Sequence, residues 1–357
     1  MVKNPEEPFF SLEFFDGKKI FITGHTGFKG SWLCQMLKMA NASVCGYALE
    51  PASRPNLFEK ARISQEILSV IGDIRDLDYL KKCVEEFQPD IMVHMAAQPL
   101  VRESYNAPVY TYETNVMGTV HFLEAARQCR SVKSVLNVTT DKVYLNRETE
   151  RGYVEHEPLD GFDPYSNSKS CSELVTHCYY HSFFQGQGVS VSTARSGNVI
   201  GGGDFAKDRI VPDCIRAIGS GEEIIVRNPH SIRPYQHVLE PLKVYLMILQ
   251  KQYENPQYSG YYNVGPNEED CITTGELVEL FCRTWGVGAS WKVQNDRGPH
   301  EANLLKLDCT KLKKTFRWEP RWNIKQALEK TIEWTKTYFV EEDVTAIMDK
   351  QIREYLS

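Results

Sequence analysis

Short runs rich in β-branched and aromatic residues alternate with longer amphipathic stretches through the first half of the chain. Residues 18–23, 43–49, 67–71, 90–94, 134–139 and 189–194 read as strands. Residues 31–39, 77–87, 109–129 and 165–185 read as helices. Strands alternating with helices of this length form parallel βαβ units with right-handed crossovers. The expected fold is α/β: a Rossmann-type, doubly wound parallel sheet with helices on both faces.

After Arg195 the pattern loosens. Gly201, Gly202 and Gly203, isolated prolines and shorter periodic segments replace the regular alternation. This half is expected to form a smaller, mixed α/β lobe over the carboxyl ends of the strands, where such folds bind ligands. The division expected is a sheet body over residues 15–195, with segments near 234–265 returning to it, and a lobe mainly over 196–345. No repeat or low-complexity linker suggests separately folding units.

The 357 residues suffice for a large core. A net charge of −6 excludes a global attraction for nucleic acid or anionic membrane. No apolar stretch approaches the ~20 residues of a membrane-spanning helix. The N-terminal segment lacks the basic start and apolar run of a signal peptide. The ten cysteines form no CxxC pair and no Cys/His cluster, so they read as reduced core thiols, and no metal is expected. A cytoplasmic protein is expected.

The first strand runs into Thr23-Gly24-His25-Thr26-Gly27-Phe28-Lys29-Gly30, with glycines spaced G-x-x-G-x-x-G. Gly24 allows a tight turn, Gly27 a close backbone approach to a pyrophosphate, and Gly30 tight packing of helix on strand. Ordinary turns are the bland alternative, and the strand-to-helix context weighs against it. The acid that often ends the second strand is missing: Ala48 stands there, with Glu50 and Arg54 nearby. Either other groups hold the ribose, or Arg54 meets a 2′-phosphate and the cofactor is NADP. His25 is bulky for its place and suggests looser cofactor binding. Asp73 is either an adenine contact or a helix cap, although Asp76 suits the cap better.

Tyr165 and Lys169 lie one helical turn apart on one face. A neighbouring ammonium favours a phenolate, which can take the proton from an alcohol while hydride leaves the same carbon. Such a pair is common on surface helices, but this one follows the fifth strand. Thr139, Thr140, Asp141 and Lys142 end that strand. Thr140 can donate to a sugar oxygen, and Asp141 with Lys142 forms an acid–base pair or a solvated turn. His94 reads as a core histidine bonded to backbone. His237 and His300 lie in segments expected to face the sugar, without a catalytic role. Trp318, Trp322 and Trp334 read as helix packing.

TGHTGFKGSW, HMAAQ, TTDKVY, YSNSK and ARSGNVIGGGD together resemble the extended short-chain dehydrogenase/reductase family, and within it the sugar-nucleotide 4,6-dehydratases. The resemblance runs from about residue 15 to about 334. It implies NAD as cofactor, CDP-glucose or a related nucleotide sugar as substrate, and a homodimer formed through helices beside the sheet. It also implies that Gly24, Gly27 and Gly30 hold the pyrophosphate, that Asp73 and Ile74 flank the adenine, and that Ala96, Ala97 and Gln98 line the cofactor. Asn115 would support the nicotinamide side. Tyr165, Lys169 and Thr140 would serve hydride transfer. Asn198, Arg209, Arg233 and Arg297 are candidates for the substrate diphosphate, with a surface ion pair as the alternative for each arginine. The implied reaction is redox-neutral: C4 is oxidised, water is lost across C5 and C6, and hydride returns to C6. Relatives acting on dTDP-glucose carry Asp-Glu where this chain has Asp141-Lys142, so Asp141 would be the acid at O6 and Lys142 the base at C5. A 4-epimerase or reductase on the same scaffold would not need that pair. A non-catalytic NAD-binding regulator would be expected to lose Tyr165, Lys169 or Thr140.

Overall fold

A computed structural model describes residues 9–294 and 304–357. The principal elements run β1 (Lys19–Thr23), α1 (Phe28–Met39), β2 (Ser43–Ala48), β3 (Leu68–Ile71), α2 (Leu77–Phe87), β4 (Ile91–His94), α3 (Pro108–Tyr112) and α4 (Gly118–Gln128). They continue with β5 (Ser134–Thr140), α5 (Pro164–Tyr179), β6 (Ser190–Ser196), α6 (Ile210–Gly219), α7 (Leu239–Glu254), β7 (Tyr261–Val264), α8 (Ile324–Phe339) and α9 (Val344–Leu356). One sheet of seven strands has the order β7-β6-β5-β4-β1-β2-β3, and every pairing in it is parallel.

All the expected strands are present, with ends displaced by a residue or two. β7 comes from the second half, and its four residues are too few for alternation to register. The first helix begins at Phe28, earlier than expected, so the glycine loop leads directly into it. Each of the two long helices is interrupted by a π-helical turn, Glu113–Met117 between α3 and α4 and Tyr180–Phe184 after α5.

Successive side chains of a strand face opposite ways, which gives the sheet two cores. Ile20 and Ile22 join Trp32, Leu33 and Met36 of α1 and Leu242 of α7. Phe21 faces the other way, onto Tyr47, Leu80 and Phe122. A third cluster, with Val211, Val226, Leu277, Phe281 and Leu328, fills the smaller lobe. Outside the main sheet, the described residues form two parallel pairs (Val199–Ile200 with Gln236–His237, and Ile224–Val226 with Trp291–Val293) and one antiparallel pair (Ile232–Pro234 with Cys271–Thr273). Trp318, Trp322 and Trp334 are buried in packing. The cysteines are free, but Cys178 is exposed and Cys171, Cys271 and Cys282 are half-buried, so they are not all core thiols. No helix among the described residues is long and apolar enough to cross a membrane.

Glu240 ties the C-terminal helices to the body. Its carboxylate accepts from the Arg321 and Trp322 amides at 3.0 and 2.8 Å and from the Tyr355 hydroxyl at 2.6 Å. Burial nevertheless pushes the carboxyl up from 4.5 to about 6. A carboxyl raised on folding is protonated first in the folded state, so its contribution is full at low pH and is lost as pH rises through about 6. The stability advantage of the parent over Glu240→Gln should therefore shrink by up to about 2 kcal/mol as pH rises across that window. Thermal melts of both proteins on either side of it check this, and an advantage constant with pH would refute it.

Candidate functional site

The strand order reverses at β1, with β2 on one side and β4 on the other, and this opens a crevice at the carboxyl ends. The glycine loop borders it. Gly24 has φ +81°, and a Cβ there would lie 2.7 Å from the Ala96 amide nitrogen. A Cβ on Gly30 would lie 2.2 Å from the Gly24 carbonyl oxygen. Gly27 differs: a Cβ there would meet nothing nearer than 3.4 Å, so the protein itself tolerates a side chain and only a close ligand would not. Gly27 also caps α1 without a side-chain bond, which leaves the first helical amides open to an anion. This cradle fits a dinucleotide pyrophosphate.

The other loop side chains turn away from it. Thr26 donates to the Leu49 carbonyl at 2.8 Å, and Phe28 packs into the core beneath Gly201. His25 does not crowd the loop as the sequence suggested. Its ring is fully buried over β2, with Nε2 2.7 Å from the Ser69 hydroxyl and an edge contact to Phe58. Burial lowers its pKa to about 4, so it is neutral. The space is made by Gly46, where a Cβ would lie 2.2 Å from the imidazole. His25 therefore gives no steric reason for loose cofactor binding.

Past β3, Asp76 caps α2, as its position suggested. Asp73 is held by Arg75, whose guanidinium lowers its pKa. The Ile74 side chain is buried against Gly118 and flanks no open surface. Arg54 is exposed in the loop after β2. Ala96 and Ala97 are half-buried beside Gly24. Asn115, in the first π turn, accepts from the Gln98 amide at 2.8 Å and donates to the Gln98 carbonyl and the Ser168 hydroxyl. The Gln98 side chain bonds Leu100 and Thr111. Asn115 ties the loop after β4 to α5 and Gln98 ties it to α3, so both side-chain amides are committed within the protein. His94 bonds the hydroxyls of Thr23 and Thr119, not backbone, and stacks on Phe122. His237 is packed between Trp32 and Trp322 in the core, with its pKa near 3 from burial, and so faces no sugar.

The reactive groups gather where β5 and β6 end. Asp163 caps α5 and Pro164 opens it, which brings Tyr165 into the first turn. Lys169 is buried one turn on, and its Nζ donates to the Val138 carbonyl at 3.3 Å. Burial pushes Tyr165 up to about 12, while Thr140 and Arg209 pull it down. The cationic pull on the phenol thus comes from Arg209, where the sequence pointed to Lys169. The Thr140 hydroxyl donates to Asp141 Oδ1 at 3.0 Å. Asp141 is buried, and its Oδ2 has no hydrogen-bond partner. Burial raises its pKa against the pull of Lys142 and Arg233. Lys142 is half-buried beside it.

Asn198 is half-buried in the loop after β6, Arg233 is buried, and Arg209 pairs with Asp204 at 3.0 Å. Arg297 and His300 lie outside the described residues. Lys29 brings a surprise. Its side chain leaves the glycine loop for the reactive cluster, with Nζ 3.4 Å from the Ser196 hydroxyl and above the Tyr245 ring. Burial, Arg209 and Lys169 lower it to about 7. Ser196 and Tyr245, bonded to each other at 2.9 Å, were not candidates from sequence. No local pattern marks Tyr245, which arrives on α7 from far along the chain.

A family model described as GDP-mannose 4,6 dehydratase matches residues 21–331. The chain is 47% identical to a CDP-glucose 4,6-dehydratase of Salmonella typhimurium, over 96% of this chain and 98% of that protein. Among solved structures, a UDP-glucose 4-epimerase from Stenotrophomonas maltophila with bound NAD superposes with a TM-score of 0.79 at 20% identity, covering 91% of this chain and 99% of that one. A dTDP-glucose 4,6-dehydratase from Bacillus anthracis in complex with NAD gives 0.75 at 21% identity, with the same coverage.

The seating of His25 has a direct test. Gly46→Ala should destabilise the protein by about 1–3 kcal/mol through overpacking. Adding His25→Ala should restore most of the loss. Denaturant titration of the single and double variants measures both, and a harmless Gly46→Ala would refute the arrangement.

Proposed function

The chain belongs to the GDP-mannose 4,6-dehydratase family, and on that premise we propose that it is an NAD-dependent hydro-lyase converting CDP-D-glucose to CDP-4-keto-6-deoxy-D-glucose and water. Fold likeness does not choose between a dehydratase and an epimerase, because both superpose on the chain. The observation that carries the choice is Asp141, a buried carboxyl with one oxygen unpartnered beside the hydride-transfer pair. Expelling the C6 hydroxyl needs such an acid, and epimerisation does not. The choice of CDP is supported by the Salmonella relative.

In this reading Gly24, Gly27 and Gly30 hold the pyrophosphate, and Ala96 and Ala97 line the cofactor. Asn198, Arg209 and Arg233 hold the substrate diphosphate. Bound NAD supplies a reversible hydride acceptor, so that hydride leaves C4 and returns to C6. Tyr165 takes the C4 hydroxyl proton, with Lys169 and Thr140 orienting the exchange. The C4 ketone acidifies C5, Lys142 takes that proton, and Asp141 protonates the departing C6 hydroxyl. Lys142 then returns its proton to C5. Tyr165 ends with one proton more and Asp141 with one fewer. Thr140, bonded to Asp141 and beside Tyr165, offers the path that closes the cycle.

We also propose that two copies work as a homodimer in the cytoplasm. Val109, Tyr112, Met117, Leu174 and Phe183 expose apolar surface along α3, α5 and the π turns that follow them.

Incubation with NAD and, separately, CDP-glucose, dTDP-glucose, UDP-glucose and GDP-mannose should yield the alkali-absorbing keto sugar from CDP-glucose alone, without net cofactor reduction. Lys142→Met should slow water loss by about 10²–10⁴-fold and leave slow C4 oxidation. Full dehydration by that variant removes Lys142 from the role. No keto sugar from any donor removes the dehydratase reading. In sedimentation, the parent should run as a dimer and Leu174→Glu as a monomer; a monomeric parent refutes the dimer.

A further inference from the structure

The reaction above gives Lys29 no part, yet its side chain joins the two halves of the site. Its backbone stands in the first turn of α1, two residues past Gly27 of the phosphate cradle. Its Nζ ends elsewhere, 3.4 Å from the Ser196 hydroxyl and 5.9 Å from the centre of the Tyr245 ring. Ser196 closes β6 and is the register partner of Thr140 on β5. It is held there by the Tyr245 hydroxyl at 2.9 Å. The next residue, Gly197, lies against the acid: a Cβ on it would be 3.3 Å from Asp141 Oδ2. Lys29 thus starts at the cradle and ends one strand away from Thr140, beside the hydride-transfer groups.

The charged and titratable groups that face it are Lys169 of α5, Arg209 at the start of α6, Asp141 past β5 and the Tyr245 phenol of α7. Among the described residues, none forms an ion pair with it. A dinucleotide with its pyrophosphate in the cradle and its nicotinamide beside Tyr165 has to follow the path that Lys29 spans. The oxidised ring is a cation, the reduced ring is neutral, and the rest of the molecule is the same in both. An ammonium along that path therefore tells the two forms apart by charge alone.

We propose that Lys29 sets the balance between the two redox forms of the cofactor: its ammonium, carried from the phosphate cradle to the hydride-transfer groups, disfavours the cationic ring of NAD relative to the neutral ring of NADH and so favours hydride uptake from C4. In that step the hydride passes from C4 to the ring, the hydroxyl proton passes to Tyr165, and the ring loses its charge. This rests on the reading above that places NAD in the cradle.

Equilibrium dialysis of the full chain against NAD and, separately, against NADH gives the ratio of the two dissociation constants. General damage to the cradle weakens both forms alike and cancels in that ratio, so a merely structural role would not move it. At low pH, where the ammonium is charged, Lys29→Met should shift the ratio toward NAD by about tenfold, the size expected of one charge in a half-exposed cleft. In the parent the ratio should move the same way as pH rises through about 7 and Lys29 gives up its proton. Lys29→Met should lack that step and keep only a later one near pH 8, from Lys169. Lys29→Arg stays charged and should hold the low-pH ratio through pH 7. Equal ratios in the parent and in Lys29→Met at every pH would overturn the proposal. Binding of neither cofactor by the parent would instead overturn the cofactor reading on which it rests.

Discussion

Helix α5 is held to the sheet by hydrogen bonds more than by apolar packing, and the reactive groups depend on that. Its buried positions are Ser166, Ser168, Lys169, Ser170, Ser172, Glu173 and Thr176. Asn115 reaches Ser168, Asn137 reaches Ser172 and Thr176, Thr119 reaches Ser172, and Thr139, Thr193 and Arg195 reach Glu173. Apolar packing would tolerate a small slide. A ladder of buried polar groups does not, because each bond broken leaves a desolvated group unpaired. The ladder thus fixes where Tyr165 and Lys169 stand relative to the ends of β5 and β6.

The glycine loop obeys a steric rule of similar severity. Gly24 and Gly30 are required by contacts within the protein, and Gly46 by the imidazole of His25. Gly27 is required by none of these, and that separates scaffold from ligand surface within one motif. The histidine that looks out of place in the motif is accommodated by a glycine in the next strand, and the loop surface stays clear.

Electrostatically, the cleft gathers basic side chains around very little acid. Lys29, Lys142, Lys169, Arg209 and Arg233 act on or stand beside Asp141, Tyr165 and one another. Burial works against the charge on three of these groups. It presses Lys29 and Lys169 toward neutral amines and Asp141 toward a neutral acid. A neutral carboxyl is the form that can give a proton to a departing hydroxyl.

By itself, the sequence determined the alternation of strands and helices, and with it a parallel sheet, because periodicity and β-branched content are local properties. It also located the glycine loop, the Tyr165–Lys169 turn and the Thr140–Asp141–Lys142 strand end, whose spacings are short. Only tertiary structure decided the rest. A rotamer cannot be read from a motif, so the direction taken by His25 and Lys29 was hidden. Side chains whose bonding capacity is filled by distant partners, as at Asn115 and Gln98, look from sequence like free ligands. His237 looked like a cleft residue and became core because Trp32 and Trp322 close on it from elements far apart in sequence. Tyr245, Ser196 and the Glu173–Arg195 pair meet the site only through sheet order, which joins segments that no local pattern connects.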